Sequence, residues 1–138
     1  VVITNEDLQN VEATFSDKRD NDKVDFAMFG CPHFTLEEAQ HIAEGVKGKK
    51  LAIPMYILVS SHALQMAQRM GIADVLAEAG AEIIADSCPD QPCWHYLKGK
   101  VGITESPKCA YYPRRRGIHF IIRDLDTCIQ AALTGEVK

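Results

Sequence analysis

The 138-residue chain has no apolar run approaching the roughly eighteen consecutive residues of a membrane span, so no bilayer-crossing segment is expected. A basic surplus is missing too. The formal net charge is -4, which argues against a nucleic-acid partner. Arg114, Arg115 and Arg116 form the dense basic run, and read alone they belong to a solvated turn. The start, Val1-Val2-Ile3-Thr4, lacks the charged region and long apolar stretch of a secretory signal. It also lacks an initiator Met, and the expectation is a piece of a longer chain. No internal repeat, low-complexity segment or C-x2-C pair occurs. The five cysteines are odd in number and scattered, unlike a secreted disulfide framework, so a reducing cytoplasm is the expected setting.

What is present fits one soluble α/β domain over residues 1–138. A chain of this size buries roughly 70% of its unfolded surface and needs no disulfide or metal staple to fold. Thr4 is a candidate N-cap for a helix from Asn5 to about Phe15, with Leu8, Val11 and Phe15 along one face. The polar run Ser16 to Lys23 reads as a surface loop. Val24 to Phe29, interrupted only by Asp25, has the length and apolarity of a strand. Gly30-Cys31-Pro32-His33 then reads as a short turn into a helix, because Thr35 and Glu38 form a capping box. That helix, Leu36 to Val46, buries Leu36, Ala39, Ile42, Ala43 and Val46.

Leu51 to Val59 is the next apolar run, with Pro54 placing it at an edge, in a bulge, or in a shorter strand. Ser60-Ser61 opens a helix that Gly71 breaks, and Ile72 to Ala79 adds another turn or two. Glu82 to Ala85 reads as a strand ending in Asp86-Ser87-Cys88-Pro89. A loop holding Cys93 and Trp94 leads to strand Val101 to Thr104 and a short helix opened by Pro107. Gly117 to Arg123 is the last strand, and Asp124 caps a closing helix to about Gly135. Strand and helix alternate about five times. That predicts a three-layer α/β/α fold with a mostly parallel sheet of about five strands.

Polar and thiol residues fall on this map in a pattern. Cys31 and His33 follow the first strand, Ser60 and Ser61 the second, Asp86 and Cys88 the third. Thr104, Glu105, Ser106 and Lys108 follow the fourth. A parallel sheet gathers all of them at its carboxyl edge, where ligands bind. Zinc held by Cys31, His33, Cys88 and Cys93, an iron–sulfur cluster, a dithiol pair and simple packing are all open on spacing alone. Backbone N–H groups at the helix starts after Thr35 or Ser60 could meet an anion. Cys128 reads as core, and Cys93 and Cys109 as bystanders. Trp94 reads as cover for a core edge. His33 either orients the Cys31 turn or touches substrate; His41, His62, His95 and His119 are ordinary histidines.

The ordered pieces Gly30-Cys31-Pro32-His33, Leu36-Glu37-Glu38, Asp86-Ser87-Cys88 and Ser106-Pro107-Lys108-Cys109-Ala110-Tyr111-Tyr112 resemble the C-terminal part of the aconitase X family. There they read G-C-P-H with S/T-x-E-E, D-T-C, and S-x-K-x-A-x-Y. The resemblance implies part of an iron–sulfur hydro-lyase that dehydrates a small hydroxy acid, such as cis-3-hydroxy-L-proline or 5-phosphomevalonate. It further implies that Cys31 and Cys88 are two of three cluster ligands. The third is expected in a Cys-Thr-Pro segment of an N-terminal part not contained in this sequence, and a small domain or subunit is expected as a further partner. Lys108 falls where the family has a substrate-binding lysine, and Ser106 could donate a hydrogen bond beside it. Ser87 stands where the family has Thr, and Tyr111 where His is common, so the substrate is open. The alternatives from other classes are a non-catalytic or zinc- and thiol-binding α/β module and an anion-binding regulatory domain.

Overall fold

The structure, a computed structural model, describes residues 2–17 and 23–137. The expected loop Ser16 to Lys23 lies largely outside the described residues. Five parallel strands form one sheet in the order β3-β2-β1-β4-β5. They are β1 (Phe26–Phe34), β2 (Met55–Val59), β3 (Ala81–Ala85), β4 (Val101–Thr104) and β5 (His119–Ile122). The chain winds outward from β1 through β2 to β3, then crosses back to β4 on the other side. With right-handed crossovers, that reversal sends the connections before and after it to opposite faces. It also opens a crevice at the carboxyl ends of β1 and β4.

One face is covered by α2 (Leu36–Val46), α3 (Ser61–Arg69), α4 (Ile72–Ala79) and α6 (Leu125–Thr134). Ala39, Ile42, Val46, Ala67, Leu76 and Ile129 pack there on Ala27, Phe29, Ile57 and Ile103. Each helix starts as its sequence predicts. Thr35 and Glu38 close the capping box of α2, Ser60 caps α3, Asp124 caps α6, and Gly71 separates α3 from α4 in a left-handed conformation. The other face carries α5 (Pro107–Tyr111) and two 3-10 turns, Pro92–Leu97 and Tyr112–Arg116. Its core is aromatic: Phe26, Tyr56, Trp94 and Phe120 pack with Met28, Leu58 and Leu97. Gly102 makes room for it. A Cβ there would stand 2.5 Å from the Phe26 ring and 2.9 Å from that of Phe120.

The first helix, α1 (Asn5–Phe15), forms over the expected residues with its Thr4 cap; none of them is buried, and Leu8 is 61% exposed. Its one aromatic contact is Phe15, edge-on to Tyr111 at 5.3 Å. Two expectations need correction. The Arg114–Arg116 run is not simply solvated. Arg114 pairs with Asp17 at 2.7 Å, and Arg115 and Arg116 both pair with Asp90. The first strand does not stop at Phe29. It continues to Phe34, so Gly30 to His33 is an irregular part of β1 and not a turn. By contrast β2 is the shortened strand that Pro54 demanded. Among the described residues, no helix is long and apolar enough to cross a membrane.

Candidate functional site

The irregularity in β1 begins at Gly30. Phe29 faces Ile57 on β2 and Phe34 faces Val59, so five steps along β1 match two along β2. The three extra residues are an odd number, and they invert the in–out alternation of the strand. Ala27 and Phe29 point to the helical face, and after the break so does Phe34. Cys31 consequently joins Phe26 and Met28 on the aromatic face, which an unbroken strand would have denied it. Gly30 is required here. Its φ is +99°, and a Cβ would sit 2.1 Å from the carbonyl oxygen of Leu58. The Cys31–Pro32 peptide is cis.

Cys31 is 8% exposed, and its segment is held by the fourth strand's turn. Ser106 Oγ donates to Cys31 O at 2.5 Å and accepts from Cys109 N at 3.2 Å, which makes it the N-cap of α5. The hydroxyl proton of buried Ser106 is therefore directed at the protein. Lys108, the second residue of α5, is exposed. Cys88 is exposed on the loop after β3. His33 Nε2 lies 2.7 Å from Ser87 O and joins the Cys31 and Cys88 segments directly.

The electrostatics place these groups in one neighbourhood. Burial pushes the Cys31 thiol above its ordinary value. The nearby Cys88 thiol pushes the same way, and the Lys108 ammonium opposes both. The Cys88 thiol disfavours ionisation of Cys31, an effect that a bound cation would relieve, so the two thiols fit two ligands of a metal cluster. It does not make a complete site. Among the described residues, no three His, Cys, Asp or Glu side chains are grouped to hold a metal ion, so the four-ligand zinc set of Cys31, His33, Cys88 and Cys93 is not assembled. Cys109 is fully buried and its thiol is held well above the ordinary value by desolvation; Cys128 is likewise buried in the helical face. Both lie in the core, the place expected of Cys128.

The helix starts are partly engaged by the chain's own carboxylates. Asp86 Oδ1 accepts from Ser61 N at 3.0 Å, and Glu38 Oε2 accepts from Thr35 N at 2.8 Å. One property of the edge was invisible in the sequence. Burial pushes the Glu105 carboxyl up to about 7, against stabilising hydrogen bonds from its own backbone and Thr104, and the Glu38 carboxylate adds to the rise. Thr104 Oγ1 donates to Glu105 at 3.2 Å. Near neutral pH this site contains an acid that both holds and releases its proton.

Comparison with known proteins agrees with this geometry. Residues 24–134 match the family model described as the aconitase X third domain. The phosphomevalonate dehydratase large subunit of Thermococcus kodakarensis is 31% identical over 135 residues, covering 96% of this chain and 34% of that protein. The cis-3-hydroxy-L-proline dehydratase of Hypocrea jecorina is 29% identical over 141 residues, covering 94% of this chain and 22% of that one. A crystal structure of Thermococcus kodakaraensis aconitase X in its holo-form superposes with a TM-score of 0.81 at 30% identity, over 96% of this chain and 34% of that one. The chain thus spans about a third or less of the length of these relatives. It belongs to the aconitase X family.

Proposed function

We propose that this chain is the C-terminal domain of a longer aconitase X type dehydratase, working in the cytoplasm on a small hydroxy acid of the cis-3-hydroxy-L-proline or 5-phosphomevalonate kind. Cys31 and Cys88 are two thiolate ligands of its iron–sulfur cluster, and a third cysteine comes from outside this chain. The observation that supports the reading is the contact between the two thiol segments, His33 Nε2 lying 2.7 Å from Ser87 O. When bound, the cluster would supply a Lewis acid for the departing hydroxyl oxygen. Lys108 Nζ pairs with a substrate carboxylate or phosphate. Ser106 stands two residues before Lys108 and holds both the Cys31 segment and the first turn of the Lys108 helix. Buried Thr104 and partly buried Glu105 line the edge beneath them. The isolated chain, with two ligands of three, is inactive and binds no intact cluster.

Anaerobic loading of the complete enzyme with iron and sulfide tests this. Cys31→Ser and Cys88→Ser should each abolish the visible cluster absorption and dehydration, while Lys108→Ala keeps the absorption and raises KM at least tenfold. Stoichiometric zinc in protein purified without added iron, lost on Cys88→Ser, would overturn the reading.

A further inference from the structure

Cys88 is exposed, yet its loop is fastened at nearly every residue. Asp86 N donates to Val59 O at 2.8 Å, and Asp86 Oδ1 takes the Ser61 N–H. Asp90 is gripped by Arg115 and Arg116 at the loop's far end. Between these anchors lie two bonds of a different kind. His33 Nε2 sits 2.7 Å from Ser87 O, and Trp94 Nε1 donates to Cys88 O at 2.8 Å. A carbonyl only accepts, so His33 carries its proton on Nε2 and donates.

The placement of the two acceptors matters. Ser87 O belongs to the peptide unit entering Cys88, and Cys88 O to the unit leaving it. The two units meet at the Cys88 Cα. Pinning both fixes the direction of the Cα–Cβ bond, and so limits Sγ to the few staggered positions about that bond. The two donors are themselves fixed. His33 follows Cys31 by two residues on β1, so one pin ties Cys88 to its partner ligand's own strand. Trp94 is 4% exposed and packs edge-on to Tyr56 at 5.0 Å, so the other pin is rooted in the aromatic core.

We propose that His33 and Trp94 are positioning residues for the Cys88 thiolate, placing its Cβ for the site shared with Cys31 by holding both peptide units that meet at Cys88. The proposal rests on the reading of Cys31 and Cys88 as cluster ligands. It assigns His33 to orienting the ligands and not to substrate. Partners that orient metal ligands change metal affinity by about 10- to 100-fold when removed.

The test uses the complete enzyme loaded anaerobically with iron and sulfide. It compares the wild type with His33→Ala, His33→Gln, Trp94→Phe and Cys88→Ser. The readouts are the rate of cluster bleaching by a chelator, the electron paramagnetic resonance spectrum of the reduced cluster, and the unfolding temperature of the cluster-free protein. His33→Ala and Trp94→Phe should each lose cluster about tenfold faster and with altered spectra. His33→Gln, whose amide can donate to Ser87 O, should fall between His33→Ala and the wild type. The unfolding temperature of cluster-free His33→Ala should match the wild type, because His33 is exposed. Wild-type bleaching rates and spectra in both His33→Ala and Trp94→Phe, with cluster abolished in Cys88→Ser, would overturn the positioning role alone. Full cluster retention in Cys88→Ser would remove the ligand reading, and the positioning role with it.

Discussion

The two faces of the sheet are built by different rules. On one, four helices of eight to eleven residues bury small and aliphatic side chains against regular strands. On the other, a five-residue helix and two 3-10 turns lie over aromatic rings, and the backbone is irregular wherever it approaches the site. The first face supplies burial, with its periodicity written plainly in the sequence. The second spends regularity on placing Cys31, Cys88 and Lys108 at one edge. Short elements suit that task, because each can end where a functional side chain is needed.

The largest way to break this contrast is at the joint between the faces. Gly30→Ala must put a Cβ against the Leu58 carbonyl and hold φ near +99°. The expected cost is about 3–5 kcal/mol, combining a strained left-handed residue with overpacking. Urea denaturation would measure it, and in the complete enzyme cluster content should fall with it. Leu76→Ala on α4 deletes a fully buried side chain of the helical face. It should cost about 2–5 kcal/mol through the lost transfer energy and the cavity left behind. The difference is diagnostic, since the cluster spectrum of the protein that remains folded should be that of the wild type.

A pH experiment addresses the other face. The Glu105 carboxyl is raised to about 7, so the folded chain binds its proton more tightly than the unfolded chain does. That favourable contribution is complete below the ordinary carboxylate range near 4.5 and is lost as pH rises towards 7. Glu105→Gln should flatten this slope and stabilise the chain at pH 8 by on the order of 2 kcal/mol, partial exposure being allowed for. Denaturation midpoints at pH 5 and pH 8 would show it; an unchanged slope would mean that Glu105 ionises like a surface acid. The smallest effect belongs to neither face. Leu8→Ala on α1 should shift stability by less than about 0.5 kcal/mol, because Leu8 is mostly exposed already.

Much of the frame was legible because its signals are local. Capping residues at Thr4, Thr35, Ser60 and Asp124 mark the true helix starts, and Gly71 divides α3 from α4. The apolar face of α1 was legible as a pattern, but a 3.6-residue period reports only that a helix could bury one face, and this one buries no residue. Arg114 to Arg116 misled. Their partners Asp17 and Asp90 lie far away in sequence, and nothing nearby announces them. At the site, the gathering of strand ends could be read from β–α alternation, and the family motifs nominated Cys31 and Cys88 as candidates. The hydroxyl of Ser106 was expected to face a ligand; it turns instead to the Cys31 carbonyl, a contact across 75 residues.

By itself, the sequence determined the order of elements, their caps, the parallel α/β class and the candidates at the strand ends. All of these follow from periodicity and from hydrogen bonds between near neighbours. Tertiary structure alone decided that Cys31 would cross to the aromatic face, that His33 would reach Ser87, and that Glu105 would keep its proton near neutrality. The physical reason is the same in each case. Strand register, contact at a distance and desolvation are set by what packs against a residue, and those neighbours are assembled only when the sheet closes.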